Sequence, residues 1–358
     1  MLKKIQLNRY IDVGILVFLC VFPLMVPEFR VEQMCRYICF TIFAISLDLL
    51  WGYTGLLSLG HAVLFGIGGY LIGIFYNIQS GVPAFMTREG ITSLPWFFVP
   101  LKNPAIAILA ALALPTFFAF VLGSFIFSSK VKGVFFTIIT LALAQIFNDF
   151  IVTSQKYTNG FNGLQGIRRF AFGQGDPLSK TAYYYLVLAI AVIVFIACLC
   201  FTHSRLGKVA TAIRDNETRL SYFGYSTSRY KILIFSISGF FAGLAGLLYA
   251  PATGTITTED IGIAVSTMCV IWVAVGGRGN LTGAVLGTLL INWAESKLSE
   301  YFSDYWQLIL GGILLCVIFF IPRGIIGELL VQYRKYRKAR SDVLILKRKQ
   351  SKEGAVRV

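Results

Sequence analysis

Pro104-Ala-Ile-Ala-Ile-Leu-Ala-Ala-Leu-Ala-Leu-Pro-Thr-Phe-Phe-Ala-Phe-Val-Leu-Gly-Ser-Phe-Ile-Phe127 runs for 24 residues without a charged side chain. A helix rises about 1.5 Å per residue, so about 20 such residues cross the hydrocarbon core of a bilayer. This run therefore reads as a membrane-spanning helix. Reading outward from it gives nine further apolar segments, at 11–27, 34–51, 53–76, 133–152, 182–202, 230–250, 261–276, 281–296 and 306–322. The expected fold is an all-α polytopic membrane protein of about ten helices. The junction at 51–53 is too tight for an ordinary loop and points to a broken helix. The spans 261–276 and 281–296 are short and separated by glycine, which fits a re-entrant element.

Composition agrees. Hydrophobic residues make up 56% of the chain and charged ones 14%, against about 25% charged in a soluble domain. The net charge of +15 would suggest nucleic acid in a soluble protein, but here the basic residues sit between apolar runs and at the two ends. Segments 1–10, 128–132, 203–229, 277–280 and 323–358 hold 22 Lys and Arg; segments 28–33, 77–103, 153–181, 251–260 and 297–305 hold 8. Basic residues concentrate on the cytoplasmic side of membrane proteins, so both termini are expected inside, and no nucleic-acid partner is implied. The loop 153–181 departs from this bias with Lys156, Arg168, Arg169 and Lys180. The domain organisation that follows is a cytoplasmic segment 1–10, a transmembrane domain 11–322 containing a cytoplasmic loop 203–229, and a basic tail 323–358. The tail reads as a solvated extension with an option of docking on lipid or a partner. Seven cysteines in apolar runs read as buried small hydrophobes.

No catalytic or cofactor motif stands in the chain. The one Gly-Lys pair, Gly207-Lys208, lacks the opening glycine of a phosphate-binding loop, because position 202 is Thr. HExxH, GxSxG and CxxC are absent, and two histidines, His61 and His203, do not make a metal site. An enzyme is not expected, and any chemical energy must come from another chain.

Three features carry function. In 203–229, Val209, Ile213, Leu220 and Phe223 recur at helical spacing among charges, which predicts an amphipathic helix, or two broken near Asp215-Asn216. Asp and Asn accept the free N–H groups of a first turn, and Gly224 can end the element in a left-handed conformation. Such an element docks on a soluble partner or lies on lipid. In 230–250, Gly239/Gly243 and Ala242/Gly246 are small residues four apart that let helices approach closely, and Gly276, Gly277 and Gly279/Gly283 read alike. In Ser58-Leu-Gly-His-Ala-Val-Leu-Phe-Gly-Ile-Gly-Gly-Tyr70, a polar start, His61 and dense glycine interrupt an apolar run. Polar groups at membrane depth face protein or water, so this stretch either lines a substrate path or packs with His61 satisfied. Asp48, Thr140, Gln145, Asn148, Asp149, Asn292 and Glu295 are the other polar groups inside spans.

The chain resembles the branched-chain amino-acid ABC permeases of the LivM/LivH type. The resemblance lies in Ser58-Leu-Gly-His-Ala62 with Phe65–Tyr70, in Lys132-Gly-Val-Phe-Phe-Thr-Ile-Ile-Thr140, in Gly160-Phe-Asn-Gly-Leu164, and in Arg205–Lys208 through Ala212-Ile-Arg-Asp-Asn-Glu217 to Gly224. It covers roughly 40–328. Val270-Ile-Trp-Val-Ala-Val-Gly-Gly-Arg-Gly279 and Ile321-Pro-Arg-Gly-Ile325 resemble the urea branch, of UrtC type, whereas Phe161-Asn-Gly-Leu-Gln-Gly166 departs from that branch. The resemblance implies a bacterial inner-membrane permease that pairs with a second, LivH-like permease, two cytoplasmic ABC ATPases and an extracytoplasmic substrate-binding protein. Arg214, Asp215, Asn216, Glu217 and Gly224 would then couple to the ATPase. Ser58, His61, Thr140 and Asn162 are path candidates, and Gly239, Gly243, Gly246, Gly276 and Gly277 pack helices. Urea is the expected cargo, with branched-chain amino acids as the alternative. A standalone secondary transporter or channel is the reading from another class.

Overall fold

The computed structural model describes residues 2–129, 131, 133–171 and 176–302, and scattered positions from 305 to 328, with residues 2–10 by backbone alone. The expected span 306–322 and the basic tail 323–358 are therefore outside the continuously described chain. Long helices account for nearly all the described structure. They are α1 (Leu2–Met25), α2 (Glu28–Thr54), α3 (His61–Asn77), α4 (Pro104–Ser128), α5 (Gly133–Thr153), α6 (Lys180–His203), α7 (Arg205–Tyr222), α8 (Thr227–Thr253), α9 (Ile263–Gly276) and α10 (Leu281–Tyr301). Side chains set several boundaries. Asn103 caps α4 at the Ala105 N–H (2.9 Å), with Pro104 opening the helix, and Ser179 caps α6 at the Ala182 N–H.

Five of these, α2, α4, α5, α6 and α8, are long and apolar enough to cross a bilayer, and the pair α9–α10, bent by 117°, makes a sixth if it is one span. Ile11–Met25 and α3 are apolar but shorter. Among the described residues, then, five or six of the ten expected spans meet this length and hydropathy, two apolar helices are shorter, and 306–322 lies outside them. The break expected at 51–53 is misplaced as well. α2 runs through it to Thr54, because residues 34–54 are buried almost throughout and keep their helical bonds. Gly55, at φ 80°, then ends the helix in the left-handed region. Residues 55–60 form no regular helix, and α3 begins only at His61.

α2 is the central post, packed against α6, α8, α9 and α10. α8 packs against α2, α3 and α4. A side chain on Gly243 would run into Pro115 of α4, and one on Gly246 would strike the Phe65 carbonyl of α3. A side chain on Gly276 would strike the Gly283 carbonyl of α10. By contrast Leu109, Phe117, Phe125, Val134, Phe135, Ile146, Phe150 and Ile193 on α4, α5 and α6 are exposed. So broad an apolar girdle on long helices fits lipid rather than water.

The two ends of the bundle separate the loops. At one end, Ser228 donates to the Phe127 carbonyl (2.8 Å), Arg214 to Gly52, and Gly279 to Asp48. At the other, β1 (Leu164–Gln165) pairs antiparallel with β2 (Thr255–Ile256), Asn77 donates to the Gln165 carbonyl, and Gln79 to that of Lys102. Among the described residues, Ser128–Ser129, 203–229 and 277–280 therefore share one end, and 77–103, 153–171, 176–181 and 251–260 the other. Two of the four basic residues of 153–181 meet acid there: Arg169 pairs with Glu32 at 2.7 Å, and Lys180 with Glu32 at 3.1 Å and Glu28 at 3.8 Å.

Candidate functional site: a helix-end joint and a broken helix

The helical spacing of 203–229 produces α7, capped at its start by Ser204 on the Gly207 N–H. Its amphipathic pattern buries Gly207, Ala210 and Ile213. Asn216 leaves helical geometry (φ −163°, ψ 94°), and its side-chain oxygen accepts from the Arg219 N–H at 2.9 Å. The element is thus two helical pieces joined at Asn216, the second one capped by that residue. Gly224 follows at φ 83°, with open space around it.

The side chains of this loop do different things. Arg214 Nη1 donates to the Gly52 carbonyl at 2.7 Å, at the C-terminal end of α2, where carbonyls lack helical partners and the helix dipole favours a cation. The Asp48 carboxylate, one turn earlier and fully buried, accepts from the Gly279 N–H at 2.7 Å. Arg278 lies over the Trp51 ring at 5.3 Å. α7, the end of α2 and the 276–280 turn therefore meet in one polar joint. Glu217 holds Lys231, a buried cation at the start of α8. Asp215 is the exposed acid, pairing only with its neighbour Arg214 (3.2 Å). Past it, Tyr222 (86% exposed), Phe223 (73%) and Tyr225 surround Gly224 as a bare aromatic tip.

The joint residues Asp48 and Arg278, and the aromatic tip, were absent from the expected site. Asp48 carried a visible signal, a carboxylate in an apolar run, but its partner lies 231 positions away. The tip carried one too, since Tyr222-Phe223-Gly224-Tyr225 is aromatic within a charged loop.

The second arrangement surrounds residues 55–60, whose backbone groups have no helix to satisfy them. Thr137 of α5 donates to the Leu57 carbonyl at 2.7 Å, Thr140 accepts from the Leu59 N–H at 3.2 Å, and Ser266 of α9 accepts from the Ala62 N–H at 3.0 Å. His61 Nε2 lies 2.9 Å from Ser46 Oγ and 3.4 Å from Ser238 Oγ, and its ring stacks on Phe43 at 5.3 Å. Ser58, His61 and Thr140 are brought together, each at most 1% exposed. In this conformation they face packed protein. Asn162 is not with them: it is exposed in the Gly160–Asn162 turn beyond the other end of α5.

Comparison with known proteins gives these arrangements a context. A family model described as branched-chain amino acid transport system / permease component matches residues 31–318. The high-affinity branched-chain amino acid transport system permease protein LivM of Escherichia coli (strain K12) is 25% identical over 340 residues, 88% of this chain and 74% of its own length. The probable branched-chain amino acid transport permease protein LivM of Methanocaldococcus jannaschii is 24% identical over 314 residues, 80% of this chain and 90% of its own. LivH of Salmonella typhimurium is 30% identical over 142 residues, 38% of this chain and 46% of its own. No solved structure matches at a significant level. These relatives are transport subunits and not enzymes, and the matched region holds both the helix-end joint and the broken helix. The chain is a multi-pass α-helical membrane protein that belongs to the family of branched-chain amino acid transport system permease components.

Proposed function

We propose that this chain is one of two permease subunits of a bacterial inner-membrane ABC importer for branched-chain amino acids. The second permease would be LivH-like, two cytoplasmic ABC ATPases would bind the α7 end, and an extracytoplasmic binding protein would deliver substrate to the end bearing β1 and β2. Both termini would be cytoplasmic. The observation that carries this reading is the relationship to LivM proteins over 88% of the chain. The proposed domains are the segment 1–10, the permease body 11–322 and the tail 323–358.

In the proposed mechanism the tip at Tyr222–Tyr225 and the exposed Asp215 engage the ATPase, and Asn216 sets the angle of the tip. Arg214 passes movement of α7 to the end of α2, and the Asp48–Gly279 bond passes it on to the α9–α10 pair. The close glycine crossings at Gly239, Gly243, Gly246, Gly276 and Gly277 let helices shift as rigid rods. Rearrangement of residues 55–60 would open the path past Ser58, His61 and Thr140, with Asn162 at its outer mouth.

Urea is the second reading, favoured by the resemblance of Val270–Gly279 and Ile321–Ile325 to the urea branch. It is a neutral cargo that needs paired donors and acceptors but no fixed charge. The test is uptake by the reconstituted five-part assembly supplied with leucine or urea. ATP-dependent leucine uptake is expected; urea uptake with no leucine uptake would reverse the substrate assignment, and uptake without ATPase subunits would remove the importer reading. For coupling, Asp215→Lys is the cleaner probe, because Glu217 already holds Lys231. Transport-linked ATP hydrolysis should fall, and an unchanged rate would place the contact elsewhere.

A further inference from the structure

Of the 32 Lys and Arg residues, only Arg36 and Lys231 fall inside the spans read from the sequence. Lys231 is accounted for by Glu217. Arg36 is not. It lies on α2 about 12 Å in from the Glu28 end, at 1.5 Å per residue. Among the described residues no hydrogen bond or ion pair holds its guanidinium, and its Nε is buried without a partner. The guanidinium lies over the ring of the adjacent Tyr37, 5.8 Å from the centroid. An unpaired cation at this depth is costly in the absence of a ligand and marks a functional site.

The surroundings define what ligand would suit it. α2 and α10 are locked in register one turn nearer the end of the bundle, where Gln33 donates to Ser296 at 2.6 Å. This brings Glu295, the neighbour of Ser296, within electrostatic range of Arg36 without an ion pair forming between them. Both side chains are only partly buried. One turn deeper on α2, Phe40 stacks on Tyr249 at 5.1 Å and meets the tilted Trp272 ring at 4.9 Å, all three rings being buried. A guanidinium and a carboxylate that influence one another without pairing, with a buried aromatic cluster one turn below, match a molecule with a carboxylate, an ammonium and an apolar side chain. Urea has none of the three.

We propose that Arg36 and Glu295 form a receiving site for a zwitterionic amino acid, Arg36 taking the carboxylate and Glu295 the ammonium, with Phe40, Tyr249 and Trp272 beneath the side chain. The site rests on the amino-acid reading given above. Arg suits the role because its planar fork meets a carboxylate with two parallel hydrogen bonds, which Lys does not reproduce.

The test uses the full importer in proteoliposomes. Wild-type leucine uptake is measured first; its absence would sink the substrate reading whatever Arg36 does. With leucine uptake established, Arg36→Gln should raise the KM for leucine about tenfold or more, Arg36→Lys should fall between, and Glu295→Gln should raise it as well. Leucinamide, which lacks the carboxylate, should compete poorly in the wild type, and Arg36→Gln should narrow its disadvantage against leucine. Co-purification with the partner subunits reports folding. An unchanged KM in Arg36→Gln overturns the site while leaving the amino-acid reading intact. Loss of co-purification in both Arg36 variants assigns Arg36 to assembly and also overturns it. A wild-type KM that follows anionic phospholipid content and loses that dependence in Arg36→Gln assigns the cation to lipid phosphate, with the same consequence.

Discussion

At the scale of single residues, the permease is built from a few contacts in which one atom decides the outcome. Gly246 sits against the Phe65 carbonyl, a backbone group that cannot rotate away. Gly246→Ala is expected to destabilise the bundle by about 1–3 kcal/mol, read as a lower melting temperature of the purified protein in detergent; an unchanged melting temperature would mean that α3 and α8 separate freely. Arg214 differs, because its side chain is part-exposed and its single bond to Gly52 ties a loop helix to the central post. Arg214→Ala should leave melting almost unmoved and reduce ATP hydrolysis linked to transport several-fold. Normal coupling in that variant would show that α7 transmits movement by another route. His61 shows how far one sequence can be read. Both a path lining and a packed interior with the ring satisfied were open for it; in this structure the ring packs with Ser46, Ser238 and Phe43, while its Nδ1 is buried without a partner among the described residues. Those partners come from α2 and α8, so no local pattern could have named them.

At the scale of elements, apolar run length identified α4, α5, α6 and α8 within a few residues, because a long apolar run has one stable form in lipid. The kink of α7 at Asn216 was also readable, since Asn competes for backbone hydrogen bonds and favours caps. The break after α2 was not placed correctly. Apolar residues continue through 34–76, and the non-helical segment 55–60 takes hydrogen bonds from threonines 80 and 81 positions away. Replacing Thr137 and Thr140 together by Val should therefore leave the Leu57 carbonyl and the Leu59 N–H unsatisfied. The expected cost is about 1–3 kcal/mol for each group, measured as reduced thermal stability. Protease sensitivity near Leu57 should rise in parallel, and an unaffected variant would mean that other groups or water serve this backbone.

At the scale of the whole molecule, the segregation of loops between two ends carries the transport model. Tyr222→Cys and Asn162→Cys, each labelled in intact cells with a membrane-impermeant thiol reagent, should react oppositely: Asn162→Cys from outside and Tyr222→Cys only after the membrane is opened. Labelling of both from the same side would refute the separation of α7 from the β1–β2 end. In the one basic loop on the β1–β2 side, Arg169 and Lys180 are tied to Glu32 at the start of α2.

The sequence by itself determined that this protein crosses the membrane repeatedly as helices, that its polar loop 203–229 forms a kinked amphipathic element, and that it resembles an importer permease. These follow from local rules, because in lipid a backbone must satisfy its own hydrogen bonds and apolar length alone then selects the helix. Tertiary structure alone decided where α2 ends, which polar residues meet, that Asp48 and Arg214 join α7 to the core, and that Arg36 finds no hydrogen-bond or ion-pair partner among the described residues. Each of these depends on groups far apart in the chain, such as Gly279 with Asp48, which only packing brings within hydrogen-bonding distance.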